Sequence, residues 1–241
     1  MTQPSEHGEG ASEAPRSVDA ALAQRYADVT GRIAEAARAA GRAPDEITTI
    51  VVTKFHPASL VRQLVQLGAQ HVGESRHQDA APKAAELAGE PLTWHFVGQL
   101  QSNKARAVGE YCSVIHSVDR TSLVDALHRA ERPLDVFLEL DLSGQPGRGG
   151  VQPEHVEALA ESVLQSGLLR LRGLMAVAPL GAEPREAFAR LRGYSDRVRA
   201  LAPEASELSA GMSGDFAEAI AEGATHLRIG TAITGERPSP R

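Results

Sequence analysis

The sequence predicts a single α/β domain, a closed (β/α)8 TIM-type barrel with an additional long N-terminal helix, and three observations lead there. Eight short apolar or β-branched runs alternate with helix-like segments along the chain. The chain has 241 residues, and one such barrel typically takes about 250. The segment after the first run, KFHPASLV, has none of the GxGxxG pattern that an open dinucleotide-binding sheet would place there.

Residues 1–16, MTQPSEHGEGASEAPR, are rich in Gly, Pro, Ser and Glu and are read as a disordered tail with no apolar core of a signal peptide. From Val18 to Ala40, the residues Leu22, Tyr26, Val29, Ile33, Ala36 and Ala40 step by threes and fours, the stripe of one long amphipathic helix that Gly41 stops. The strand candidates follow at 47–55, 71–75, 93–98, 114–119, 134–143, 169–177, 207–211 and 225–233. Between them, Pro57, Pro153 and Pro184 mark helix openings, and Leu60-Leu64-Leu67 and Phe188-Leu191-Val198-Leu201 mark helix stripes. The barrel is assigned to 17–235 and a solvated tail to 236–241.

Hydrophobic residues make up 42% and charged residues 23%, so a soluble domain can bury a full core. The formal charge is -6, and the 25 basic residues are scattered rather than gathered in a stripe, which argues against nucleic acid as a partner. No stretch of 18 apolar residues exists to span a membrane. The single cysteine, Cys112, lies in the helix-like segment AVGEYCSVI and leaves no internal disulfide, so a reducing, cytoplasmic compartment is expected. None of the nine histidines falls in an HExxH motif or a tight cluster in sequence, and no metal is expected.

In a barrel of this kind the carboxyl ends of the strands carry function. Lys54 ends the run TIVVT, where its stem could cross the barrel mouth and a desolvated amine could attack an aldehyde; the plainer reading is a rim lysine in water. The loops after strands seven and eight are the usual phosphate site. The first reads SAGMSGDFAEAI, with Ser213 placed to cap a helix beginning at Gly214; the second reads LRIGTAI, with Gly230 permitting close backbone approach and Thr231 adding a hydroxyl. Arg228 lies two residues before Gly230 on the same side of the strand, deeper in the barrel, where the plainer reading pairs it with a carboxylate. Glu139 and Asp141, two apart on one strand, are expected to balance buried cations.

The runs VVTKFHP, HVGES, WHFVGQLQSNK, HSVDR, LRLRGLMAVAP, LSAGMSGDFAEAI and THLRIGTAITG strongly resemble the YggS/PROSC family of pyridoxal 5'-phosphate (PLP) homeostasis proteins, over about residues 20 to 236. That family is similar to the N-terminal barrel of alanine racemase. The resemblance implies a PLP Schiff base on Lys54, a phosphate held by Ser213, Gly230 and Thr231 with Gly211 and Met212 of the same loop, and Arg228 facing the pyridine nitrogen. Ser75 stands where many relatives carry asparagine, so a shorter hydroxyl replaces an amide at that contact. Arg148 stands where relatives often carry lysine and keeps the charge without the amine. His95, Asn103 and Lys104 belong to the matching runs and could line the mouth after strand three, with no role assigned.

The resemblance implies a carrier that holds PLP and supplies it to PLP-requiring apo-enzymes without turning over a substrate, and the long first helix gives a monomer a way to cover its own barrel. The alternatives are a PLP-dependent amino-acid racemase and a barrel enzyme acting on a phosphorylated metabolite without PLP. Racemisation needs a base on each face of the cofactor. In alanine racemase the second is a tyrosine from an added C-terminal domain, which this sequence lacks; Tyr26, Tyr111 and Tyr194 all fall in helix-like segments.

Overall fold

A computed structural model describes residues 18–145 and 147–237. The expected N-terminal tail and most of the C-terminal tail lie outside the described residues.

The first helix, α1 (Ala20–Ala39), opens on Asp19, whose carboxylate accepts from the Leu22 amide at 2.7 Å, and closes before Gly41 at φ +70°. Leu22, Val29, Ile33 and Ala37 are buried. The helix packs across α8 (Phe216–Ala221) and α9 (Thr231–Thr234), with Arg25 Nε donating to the Ile233 carbonyl at 2.8 Å and the Arg32 guanidinium over the Phe216 ring.

Eight strands follow: β1 (Thr48–Val52), β2 (His71–Glu74), β3 (Thr93–Phe96), β4 (Val114–Val118), β5 (Leu134–Glu139), β6 (Leu169–Met175), β7 (Glu207–Ser209) and β8 (His226–Ile229). Each pairs in parallel with the next, and β1 pairs with β8, closing the barrel. The connecting helices are α2 (Ala58–Gln66), α3 (His77–Glu86), α4 (Ala105–Gly109), α5 (Thr121–His128), α6 (Val156–Gln165) and α7 (Pro184–Leu201), followed by α8 and α9. Pro184 occupies the first turn of α7, Pro57 is the cap residue of α2, and Pro153 opens a 3-10 turn ahead of α6.

The alternation of strand side chains divides the core in two. Val51, Val72, Ile115, Leu138, Leu174 and Leu227 point outward into one large apolar layer beneath the helices. Inside the barrel a small apolar cluster of Val114, Phe137 and Met175 is joined by Ile50 and Val52, and much of the remaining interior is polar: His95, His116, Ser209 and Arg228 are all buried there. Gly73 makes room for this packing, since a Cβ on it would sit 3.0 Å from Ile50 Cγ2 and 3.4 Å from Val52 Cγ2.

All eight expected strands are present, and each ends one to four residues before its expected last position. β1 stops at Val52, because Thr53 to His56 turn out of the sheet with Phe55 at φ +70°. Leu140 keeps one bridge to Val151 after β5, and Asp141 accepts from the Ser143 amide and hydroxyl and from Gln152, so it forms a turn rather than sharing a strand with Glu139. β7 stops at Ser209. Thr231 to Thr234 are helical although strand is expected to run on to Ile233, because Gly230 breaks the run. Cys112 and Tyr111 lie in the turn after α4 rather than in a helix, Cys112 fully buried, and Leu201 faces outward.

Candidate functional site

At the carboxyl face of the barrel the loop ends enclose a cavity of about 410 Å³, within the size range of small-molecule sites. Lys54, Ser75, Met212, Ser213, Arg228, Gly230 and Thr231 all line it, contributed by loops after β1, β2, β7 and β8 and by β8 itself. Gly211 is not on the wall. It turns the chain behind it at φ +92°, where a Cβ would meet Ala219 Cβ at 2.8 Å and the Phe216 backbone at 3.1 Å. Val52, His56, Val97, Val177, Gly214, Thr234 and Arg237 complete the wall beyond the expected residues. Asn103, Lys104 and Arg148 are exposed and do not line it.

The chain has three lysines, Lys54, Lys83 and Lys104. Lys83 is committed elsewhere: its buried Nζ donates to Glu74 Oε1 at 2.5 Å and to the Thr53 carbonyl at 3.0 Å. Lys54 is therefore the one lysine on the cavity wall, and among the described residues it has no hydrogen-bond or ion-pair partner.

The loop after β7 differs from the expected cap. Ser213 does not cap a helix at Gly214; α8 begins at Phe216, because Asp215 turns back to accept from the Met212 amide at 2.6 Å and its own amide donates to the Met212 carbonyl. That tight turn carries Ser213 and Gly214 on the cavity wall. Their amides have no acceptor among the described residues, and neither do those of Thr231 and Ala232. Two hydroxyls and several uncommitted N–H groups thus come from two adjacent loops, a donor set suited to an anion.

Arg228 is buried and among the described residues is not paired with a carboxylate: Nη1 donates to Ser209 Oγ at 2.7 Å and Nη2 to the Ala176 carbonyl at 2.9 Å. Burial lowers its pKa to about 10, partly offset by the charges of Glu139 and Asp215, so it stays protonated at neutral pH. Burial, reinforced by the charge of Asp119, raises Glu139 to about 7 despite the attraction of Arg228 and Arg148. Its Oε2 has no hydrogen-bond partner among the described residues.

Beneath Arg228, four histidines that are remote in sequence meet inside the barrel. His71 Nδ1 lies 3.0 Å from His95 Nε2, His95 Nδ1 lies 2.8 Å from His116 Nε2, and His116 Nδ1 lies 2.8 Å from Ser209 Oγ. His226 packs against the rings of His95, His116 and Phe137. Burial first, then their mutual repulsion, holds His95 and His116 well below the ordinary histidine value, and burial with the charges of His71 and two arginines brings His226 to about 4. These rings hydrogen-bond and stack, and among the described residues no group of three or more potential ligands is arranged to hold a metal ion.

The family profile described as "Alanine racemase, N-terminal domain" matches residues 30–238, nearly the whole barrel. The chain belongs to the alanine racemase N-terminal domain family, in its pyridoxal phosphate homeostasis branch. Within this branch it is 44% identical over 223 residues to the "Pyridoxal phosphate homeostasis protein" of Pseudomonas aeruginosa, covering 90% of this chain and 96% of that one. PipY of Synechococcus elongatus, solved with PLP bound, is 36% identical with a TM-score of 0.78, covering 89% of this chain and all of PipY. Alanine racemase from Corynebacterium glutamicum shares the fold alone, with a TM-score of 0.66 at 15% identity, covering 92% of this chain and 63% of that enzyme.

Sequence reasoning about this family member missed Ser209, His116, Glu74 and Lys83, which support the site from behind its wall. Ser209 and His116 lie in the runs LSAGMSGDFAEAI and HSVDR, but only strand register shows that β4 and β7 point them at each other across the barrel.

Proposed function

We propose that this protein binds PLP in the carboxyl-face cavity and serves PLP homeostasis, holding the cofactor on Lys54 as a Schiff base and releasing it to PLP-requiring apo-enzymes without turning over a substrate. The observation that carries this reading is the meeting, in one cavity, of the only wall lysine with two donor loops and a buried arginine. The relatives' names and the PLP in PipY support it.

The residues suit the parts of the molecule. Bound PLP would supply an aldehyde and, in enzymes, an electron sink. The Lys54 amine is placed for the aldehyde, and the Ser213 and Thr231 hydroxyls, with the uncommitted amides of both loops, are placed for a phosphate dianion. Arg228, on the cavity floor, is assigned to the ring nitrogen. A guanidinium can only donate, so it would keep that nitrogen as an acceptor and weaken the electron sink. This favours storage over carbanion chemistry.

The placement of the three tyrosines supports the carrier reading. Tyr26 lies on α1, Tyr194 on α7 and Tyr111 in the turn before β4, and no tyrosine is among the residues that line the cavity. The long α1 helix packs on its own barrel, in keeping with a monomer.

The test is the visible absorption of the purified protein titrated with PLP, set beside the Lys54→Ala variant. The proposal expects a Schiff-base band that the substitution abolishes. An unchanged affinity in the variant would remove Lys54 from the site. For the carrier, alanine and serine isomerisation no faster than with free PLP is expected, and a protein-dependent rate would favour the racemase.

A further inference from the structure

Five polar residues from five strands run in a line through the barrel: Arg228 of β8, Ser209 of β7, His116 of β4, His95 of β3 and His71 of β2. Every link is a hydrogen bond of 2.7 to 3.0 Å. His71 is the first residue of β2, at the amino face, so the line crosses from the cavity floor to the opposite end of the barrel.

The chemistry of the first member orders all the others. Arginine has donors and no acceptor, so Ser209 Oγ accepts from Arg228. The buried Ser209 hydroxyl then has one proton to place, and among the described residues its only acceptor is His116 Nδ1. His116 must therefore carry its proton on Nε2, which donates to His95 Nδ1; His95 in turn carries its proton on Nε2, which donates to His71 Nδ1. The reverse direction would put two donors on Ser209 Oγ and leave its own buried proton unmatched. A neutral chain is also the state that burial favours for these rings.

We propose that Ser209, His116, His95 and His71 form a one-directional hydrogen-bond relay that positions Arg228, with all three imidazoles locked as Nε2–H tautomers. None of the four relay residues lines the cavity, so they act through Arg228. The remaining groups around the line are His226 of β8, packed on His95 and His116, and Glu139 of β5 and Asp215, whose charges act on Arg228. What Arg228 touches in the cavity rests on the PLP reading; the direction of the relay does not.

The test is a long-range ¹H–¹⁵N correlation spectrum of the imidazoles in the full-length protein at neutral pH, with and without PLP, for the wild type and Ser209→Ala. In the wild type, His71, His95 and His116, identified by single His→Gln variants, are expected as neutral Nε2–H rings. Ser209→Ala removes the group that sets the direction, so mixed tautomers are expected along the chain, together with a PLP affinity about tenfold weaker. An Nδ1–H or cationic His116 in the wild type would overturn the relay, as would a Ser209→Ala spectrum with all three tautomers unchanged. A wild type that shows the expected tautomers yet binds no PLP would sink the functional reading and leave the relay standing.

Discussion

Lys83 Nζ bridges Glu74 Oε1, at 2.5 Å, and the carbonyl of Thr53, at 3.0 Å, so an ion pair buried under the barrel rim holds the residue that precedes Lys54. Thr53 Oγ1 closes the triangle by donating to the same carboxylate oxygen at 2.6 Å.

Breaking that pair on one side leaves a charge buried alone. Lys83→Met is expected to destabilise the fold by about 3–5 kcal/mol in urea denaturation. The double variant Lys83→Met/Glu74→Gln is expected to recover most of that loss, because Thr53 still has an acceptor and no charge is stranded. A single variant as stable as the wild type would mean the pair contributes nothing.

The buried histidines make the protein sensitive to acid. Their folded pKa values lie below the unfolded value near 6.5, so as pH falls the unfolded state takes up protons first and stability is lost. For His226 the window runs from about 6.5 down to about 4, with a slope of about 1.4 kcal/mol per pH unit from that residue alone. Urea unfolding at pH 7, 6 and 5 should show a steady decline, and His226→Phe should flatten it. A pH-independent midpoint would contradict the neutral cluster.

Glu139 acts in the opposite sense. Its folded pKa of about 7 lies above that of a free carboxylate, so the folded state holds the proton longer and stability falls as pH rises from about 4.5 to about 7. Glu139→Gln is expected to match the wild type at pH 4.5 and to exceed it at pH 8 by roughly 1–3 kcal/mol. Thermal unfolding at the two pH values checks this, and a variant less stable at pH 8 would show that the ionised carboxylate is needed there.

Much of the barrel was legible because each strand carries its own apolar run and each helix its own stripe. The cavity residues were legible because Lys54, Ser213, Gly230 and Thr231 sit at strand ends, where the architecture places function. What stayed hidden depends on distant pairing. The His71–His95–His116 line needs the register of three strands, and the Asp215 turn that delays α8 is a side-chain contact no periodicity reports. Thr231 to Thr234 misled because strand is expected to run on to Ile233 while Gly230 ends it.

The most direct measurement is borohydride reduction of the protein loaded with PLP, followed by peptide mass spectrometry. With only Lys54, Lys83 and Lys104 in the chain, the account predicts one stable pyridoxyl adduct, on Lys54. An adduct on Lys83 or Lys104, or none at any lysine, would contradict it.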